Sequence, residues 1–212
     1  MRRRELGFRV SRGQSYASIE RTAQGVRRVV APTLGPGDPI NMVALFERLD
    51  EYCVKVGDRK IYLDYAVRDF TGIEAITIYD DEDDRIVVVL STKTYLALQR
   101  GDNRPLFTVA HEIGHAVLHA EEVMAAGTVD DLRYAAARGK SSHKIFMDSE
   151  WQSDVFAAAL LMPAEGVGAM LRAVESTWEP SEVQAHFNVS GHAATTRCGV
   201  VREKFPDYIT RA

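Results

Sequence analysis

Cysteine is scarce in this chain: Cys53 and Cys198 are the two in 212 residues. They have neither zinc-ribbon nor C-x-x-C spacing, so two buried free thiols are expected rather than a disulfide or a redox pair. Long apolar runs are missing as well, and none approaches the roughly 20 residues a membrane-spanning helix needs. No apolar stretch follows the opening Met1-Arg2-Arg3-Arg4-Glu5, so no secretory leader is expected and the chain reads as cytoplasmic. Basic charge is not in excess: 26 Lys and Arg against 30 Asp and Glu give a net charge of −4. That balance argues against broad, non-specific nucleic-acid binding. What the chain does have is 46% apolar content over 212 residues, enough for one sizeable core with a small appendage.

Histidine is sparse too, yet His111, His115 and His119 crowd into one short stretch. His111 and His115 are four residues apart, about one helical turn, so both imidazoles project from one helix face. The run His111-Glu112-Ile113-Gly114-His115 is a full H-E-x-x-H match, in which the histidines reach one zinc ion and Glu112 serves as general base. The surroundings read as helix: Asp102 and Asn103 are cap candidates, and Pro105 sits in the first turn, where its missing N–H costs nothing. Leu106, Val109, Ala110, Ile113 and Val117 recur at core spacing and leave the histidines on another stripe. Gly114 is out of place in a helix interior by about 1 kcal/mol, tolerable if another backbone approaches there. His119 lies about 12 Å along the helix from His111, too far to share the ion, and is a pocket or oxyanion candidate instead.

A second helix is expected from Asp148 or Ser149 as cap to Pro163 as stop. Glu150 in its first turn is placed to complete a His-His-Glu set with water as fourth ligand, the open arrangement of catalytic zinc. Asp154, one turn on, can accept the free ring N–H of a ligand histidine and so fix its tautomer.

Taken together, these two stretches resemble the ImmA/IrrE family of zincin-like metallopeptidases. The resemblance rests on the run from His111 to His119 and on Glu150-Trp151-Gln152-Ser153-Asp154-Val155-Phe156 with Leu160-Leu161-Met162-Pro163. Ser153 stands where the family usually has alanine. Weaker likeness extends upstream to Tyr16–Glu20 and Ile76–Asp80 and downstream to Phe187–Ser190, Ala193 and Arg197. The resemblance implies a gluzincin-like site, with His111, His115 and Glu150 as ligands and Glu112 as base. It also implies a regulator of the kind found in mobile elements or stress responses, acting on a DNA-binding repressor.

Elsewhere the chain is less specific. Residues 1–14 read as a basic, solvated arm carrying Arg2, Arg3, Arg4, Arg9 and Arg12. Helices are expected from Ser18 to Val30 and after Asp38-Pro39, and a short strand over Cys53–Val56. Ile73–Tyr79 and Arg85–Leu90 read as strands joined by a solvated acidic turn, Asp80–Asp84. Ile86, Val87, Val88, Val89 and Leu90, with Ser91 and Thr92 after them, are the candidate edge strand that pairs with an extended peptide. Residues 120–147 read as a lid-like connection with a short helix over Asp130–Arg138; Tyr134 and His143 within it are oxyanion candidates. A further helix is expected from Pro163 to Val174. Pro180–Phe187 and Gly191–Lys204 then make a helix-turn-helix-like pair, in which Arg197, Arg202 and Lys204 could meet phosphates. Few polar side chains open its second helix, so packing or partner recognition is expected over direct DNA binding.

The expected architecture is α+β: a zincin-like domain over 15–175, its small antiparallel or mixed sheet lying over the histidine helix, and a helical module over 176–212. The expected activity is that of a metalloendopeptidase with one zinc per chain, Glu112 activating a zinc-bound water. The competing class is a regulator that keeps this fold but binds a repressor or DNA without cutting. An intact Glu112 favours the enzyme, because a binding module has no chemical need for it.

Overall fold

Four strands form one mixed sheet: β1 (Cys53–Val56), β2 (Arg59–Arg68), β3 (Ala75–Asp80) and β4 (Arg85–Ser91), in the order β1-β2-β4-β3. The sheet belongs to a computed structural model that describes residues 8–126, 144–173 and 180–210. β1 and β2 are antiparallel, β2 and β4 parallel, and β3 and β4 an antiparallel hairpin closed by the acidic turn, with Asp80 opposite Arg85. In that turn Asp84 adopts φ 54°, a left-handed conformation that aspartate tolerates, and its carboxylate accepts from Arg59 and Tyr79.

The sheet order corrects one expectation. Ile86, Val87, Val88, Val89 and Leu90 are not at an edge: Val88 pairs with Tyr65 of β2 on one side and with Thr77 of β3 on the other. Ile86, Val88 and Leu90 are buried. An apolar run without alternation marks a strand covered on both faces, and its backbone groups are already committed to two neighbours. Ser91 and Thr92 do not continue an edge either, because Ser91 caps the helix α3 (Thr92–Gln99) by accepting from Thr94 N. The edge beside β4 belongs to β3. Among the described residues, no strand pairs with its other side.

Beneath the sheet lies α4 (Asn103–Leu118), which carries the histidine run and buries Val109, Ala110, Ile113 and Ala116. It is preceded in the chain by α1 (Tyr16–Val30) and α2 (Met42–Phe46), and followed by α5 (Ala120–Ala126). The second expected helix is α6 (Ser149–Leu161), capped by the Asp148 carboxylate on Trp151 N and ended before Pro163. α4 and α6 pack side by side at Gly114, where an added Cβ would meet Phe156 Cδ1 at 3.1 Å and Ser153 Cα at 3.2 Å. The glycine is there because a neighbouring backbone passes close.

α7 (Ala164–Ala173), α8 (Pro180–Phe187), α9 (Gly191–Lys204) and the short α10 (Asp207–Thr210) complete the described residues. Val183, Phe187, Ala194, Cys198 and Val201 join the same apolar cluster as the residues under the sheet. Arg197 is fully buried: it donates to Glu20 of α1 at 2.6 Å and to the Met162 carbonyl at 2.8 Å, so it is not available to a phosphate. Of the two free cysteines, Cys198 is buried as expected, but Cys53 is exposed at the sheet's outer strand. No single helix among the described residues is long and apolar enough to cross a membrane.

Residues 8–14 are not a solvated tail. Val10 N donates to Met147 O at 2.9 Å, Gln14 N to Phe146 O at 3.1 Å, and Ser149 N to Phe8 O at 3.1 Å. The segment lies along the approach to α6, with Val10 2% exposed.

Candidate metal centre

One helical turn puts the imidazoles of His111 and His115 together, with their Nε2 atoms 3.0 Å apart. Glu150, at the start of α6, brings Oε2 to 3.3 Å from His111 Nε2 and Oε1 to 3.3 Å from His115 Nε2. These three residues form a group whose ligand atoms all lie within 4.8 Å of one another. Donors bonded to one tetrahedral ion at about 2.0–2.1 Å stand roughly 3.3 Å from each other, so the spacing suits a single small cation.

Hydrogen bonds settle which ring nitrogens are bare. Asp154 Oδ1 lies 2.9 Å from His111 Nδ1, so that nitrogen carries the proton donated to the carboxylate and Nε2 faces the cluster. His115 Nδ1 lies 3.1 Å from His119 Nδ1, and His119 Nε2 lies 3.0 Å from Gln152 Oε1. The amide oxygen can only accept, so His119 donates from Nε2 and accepts at Nδ1 from His115. His115 is thereby left with a bare Nε2 beside that of His111. Two lone pairs that close repel unless positive charge lies between them.

The ionisation of the groups reflects the same demand. Burial opposes charge on His111, but its bonds to Asp154 and Glu150 prevail and raise its pKa to about 10. Burial likewise acts to raise the Glu150 carboxyl, yet with protons standing in for a metal on the inward nitrogens, hydrogen bonds from His111 and His115 hold it below the usual carboxylate range. His119 goes the other way: burial first, then the neighbouring His115, push its pKa down to about 3, and the ring is neutral. The donor set of two imidazoles and one carboxylate, all seeking a cation, fits zinc.

Glu112 is held from the sheet. The Thr77 hydroxyl, on edge strand β3, lies 2.7 Å from Glu112 Oε2 and 2.9 Å from the Glu112 carbonyl oxygen. Thr77 is buried. An open groove of about 1070 Å³ runs past the centre, lined by Glu74, Thr108, Glu150, Trp151, Asp154 and His192 among others.

The structure thus brings His111, Glu112, His115, Glu150 and Asp154 together, and it places the other candidates elsewhere. His119 is buried with both ring nitrogens engaged, which leaves no N–H for a substrate oxyanion. Ile86–Leu90 lie inside the sheet. Tyr134, His143 and the helix expected over Asp130–Arg138 lie outside the described residues. Thr77, Gln152 and Phe8 carry no motif, although a polar residue between Ile76 and Ile78 on a half-buried apolar strand is a signal that it has a partner. The Phe8 ring packs 5.8 Å from that of His119 and 6.2 Å from that of His115.

Residues 95–198 match the Peptidase_M78 family, described as the IrrE N-terminal-like domain. The matched stretch contains all of α4 and α6, and with them His111, Glu112, His115 and Glu150. No curated protein matches the chain.

Proposed function

We propose, on the premise that residues 95–198 belong to the IrrE N-terminal-like family of metallopeptidases, that the chain is a zinc-dependent endopeptidase of the gluzincin type with a zincin-like fold. The observation that carries this reading is the convergence of three donors with both imidazole tautomers fixed. His111 and His115 each turn a bare Nε2 inward while Nδ1 is bonded behind, and Glu150 closes the set. Three protein ligands with a fourth position open is the pattern of catalytic zinc, whereas structural zinc sites are closed.

Zinc held there would act as a Lewis acid on a peptide carbonyl and lower the pKa of water toward about 7. The remaining chemistry falls to the chain. Glu112 takes the proton from the attacking water and returns it to the leaving amine, with Thr77 keeping its carboxylate from swinging away. An extended substrate segment would pair with the free side of β3, Ala75–Asp80, whose central residue Thr77 already touches the base. Recognition by main-chain pairing suits a narrow protein substrate. The resemblance to the ImmA/IrrE family supports a DNA-binding repressor in the cytoplasm as that substrate, cut at an exposed extended segment.

The test is to incubate the zinc-loaded chain with proteins encoded beside it and to read the products by mass spectrometry. A defined cut that vanishes with a chelator and with Glu112→Gln supports the proposal. A partner that binds tightly, leaves its DNA and stays uncut identifies a regulator that does not cleave.

A further inference from the structure

Gln152 of α6 is 1% exposed and uses its whole amide. Its Nε2 donates to the Phe146 carbonyl at 2.8 Å and to the Arg12 carbonyl at 3.1 Å, and its Oε1 accepts from His119 Nε2 at 3.0 Å. The amide cannot be turned over, because Oε1 would then face two carbonyl oxygens. Its orientation therefore dictates the next links. Neutral His119 must carry its proton on Nε2, its Nδ1 must accept, and His115 must donate from Nδ1. The ligand nitrogen of His115 is bare because two backbone carbonyls, one in the N-terminal segment, hold an amide two hydrogen bonds away.

Those carbonyls belong to paired segments. Residues 8–14 run against 144–149 through Val10 N to Met147 O, Gln14 N to Phe146 O and Ser149 N to Phe8 O. Arg9 and Asp148 form a β-bridge in the same stretch. Phe8 closes over the rings of His115 and His119. Ser11 adds a tie to α5 by donating to Glu122 from both its N–H and its hydroxyl.

We infer that Gln152 is a positioning residue for the metal ligand His115, and that docking of residues 8–14 and zinc binding at the centre favour one another through it. The inference rests on the zinc reading of His111, His115 and Glu150. Coupling of this kind is reciprocal: whatever the docked segment adds to zinc affinity, zinc adds to docking. The N-terminal segment is then part of the metal centre although none of its atoms is a ligand.

Zinc alone is a sufficient probe. In the zinc-loaded chain, imidazole ¹⁵N shifts are expected to report His115 protonated at Nδ1 and His119 at Nε2. Gln152→Met, which keeps the bulk and loses the amide, should weaken zinc binding in a chelator competition by about 10- to 100-fold, as lost hydrogen bonds behind metal ligands do. Gln152→Glu still offers His119 an acceptor but sets its second oxygen against the Phe146 and Arg12 carbonyls, so it should recover only a minor part of that loss. Hydrogen exchange on the unaltered chain needs no variant to fold. Zinc should slow exchange at the Val10, Gln14 and Ser149 amides by roughly 5- to 150-fold, the usual range of coupling between sites. A chain that binds zinc but shows these amides indifferent to it, or a folded Gln152→Met with undiminished affinity, overturns the inference and leaves the zinc reading standing. A chain that takes up no zinc ends both.

Discussion

Gly114 of α4 lies against Ser153 of α6, so close that a Cβ on the glycine would stand 3.2 Å from Ser153 Cα and 3.3 Å from Ser153 Cβ. Four residues separate His115 from His111 on one of these helices and Glu150 from Asp154 on the other, so the spacing between the helices sets the ligand geometry. Gly114→Ala must push α6 outward or distort α4, because the fully buried Phe156 ring and a backbone atom both block the methyl. Overpacking of this kind costs roughly 1–3 kcal/mol, despite the better helix propensity of alanine. The variant should unfold at a lower temperature and bind zinc more weakly; thermal unfolding and chelator competition check the two effects separately. Ser153→Ala should do the reverse for stability. The Ser153 hydroxyl is buried and finds no hydrogen-bond partner among the described residues, so removing it should leave stability unchanged or raise it by about 1 kcal/mol.

Base chemistry and metal binding are expected to separate at Glu112. Glu112→Gln keeps the size, removes the proton acceptor and leaves the donors His111, His115 and Glu150 in place. Zinc content should stay while cleavage of the true substrate falls by at least about 100-fold. Thr77→Val, which removes the hydroxyl that holds the carboxylate, should lower kcat with little change in KM or zinc content, and Thr77→Ser should restore it. Glu112→Gln with full activity would move the base elsewhere.

Substrate pairing is expected along β3. Glu74 O accepts from Ser91 N, so by alternation the backbone groups of Ala75, Thr77 and Tyr79 turn away from β4 toward the free side. Ala75→Pro removes one outward N–H at the start of the strand, a position that tolerates proline. Cleavage of a protein substrate should weaken while zinc content and thermal stability hold. An equal change at a β1 residue, on the far edge of the sheet, should have no such effect.

The two helices that carry the centre were legible because their ends are marked by local chemistry. Pro105 opens one, Asp148 caps the other and Pro163 stops it, and the histidine spacing fixes a helical face. Glu150 and Asp154 followed from the same periodicity. β4 lies inside the sheet and not at the expected edge, and its run Ile86–Leu90 carries the mark of a central strand, an apolar stretch without alternation. β2 is not legible in the sequence, because Lys60, Asp64 and Arg68 interrupt the apolar positions of a long strand that is exposed at both ends. Arg12, Gln152 and Thr77 could not be assigned from the sequence: each acts through a partner more than 30 residues away, and nothing in its local neighbours records that pairing.

Zinc and protons are expected to compete at His111. Asp154 and Glu150 overcome burial and raise its pKa to about 10, so zinc has to displace a proton there throughout the neutral range. Affinity should therefore climb as pH rises, by up to about tenfold per pH unit below that pKa, and fall as pH drops. Titrations in buffers of different ionisation enthalpy would show the proton released on binding. A flat affinity between pH 6 and 8 would rule this out.

The most direct measurement is zinc per chain, by elemental analysis, in the purified protein and three variants. About one zinc is expected in the unaltered chain and in Glu112→Gln, and far less in His115→Ala and Glu150→Gln, because a three-donor site loses most of its affinity with any one donor. That pattern would establish His111, His115 and Glu150 as the site and Glu112 as outside it. No stoichiometric metal in the unaltered chain, or occupancy unaffected by His115→Ala and Glu150→Gln, would contradict the account.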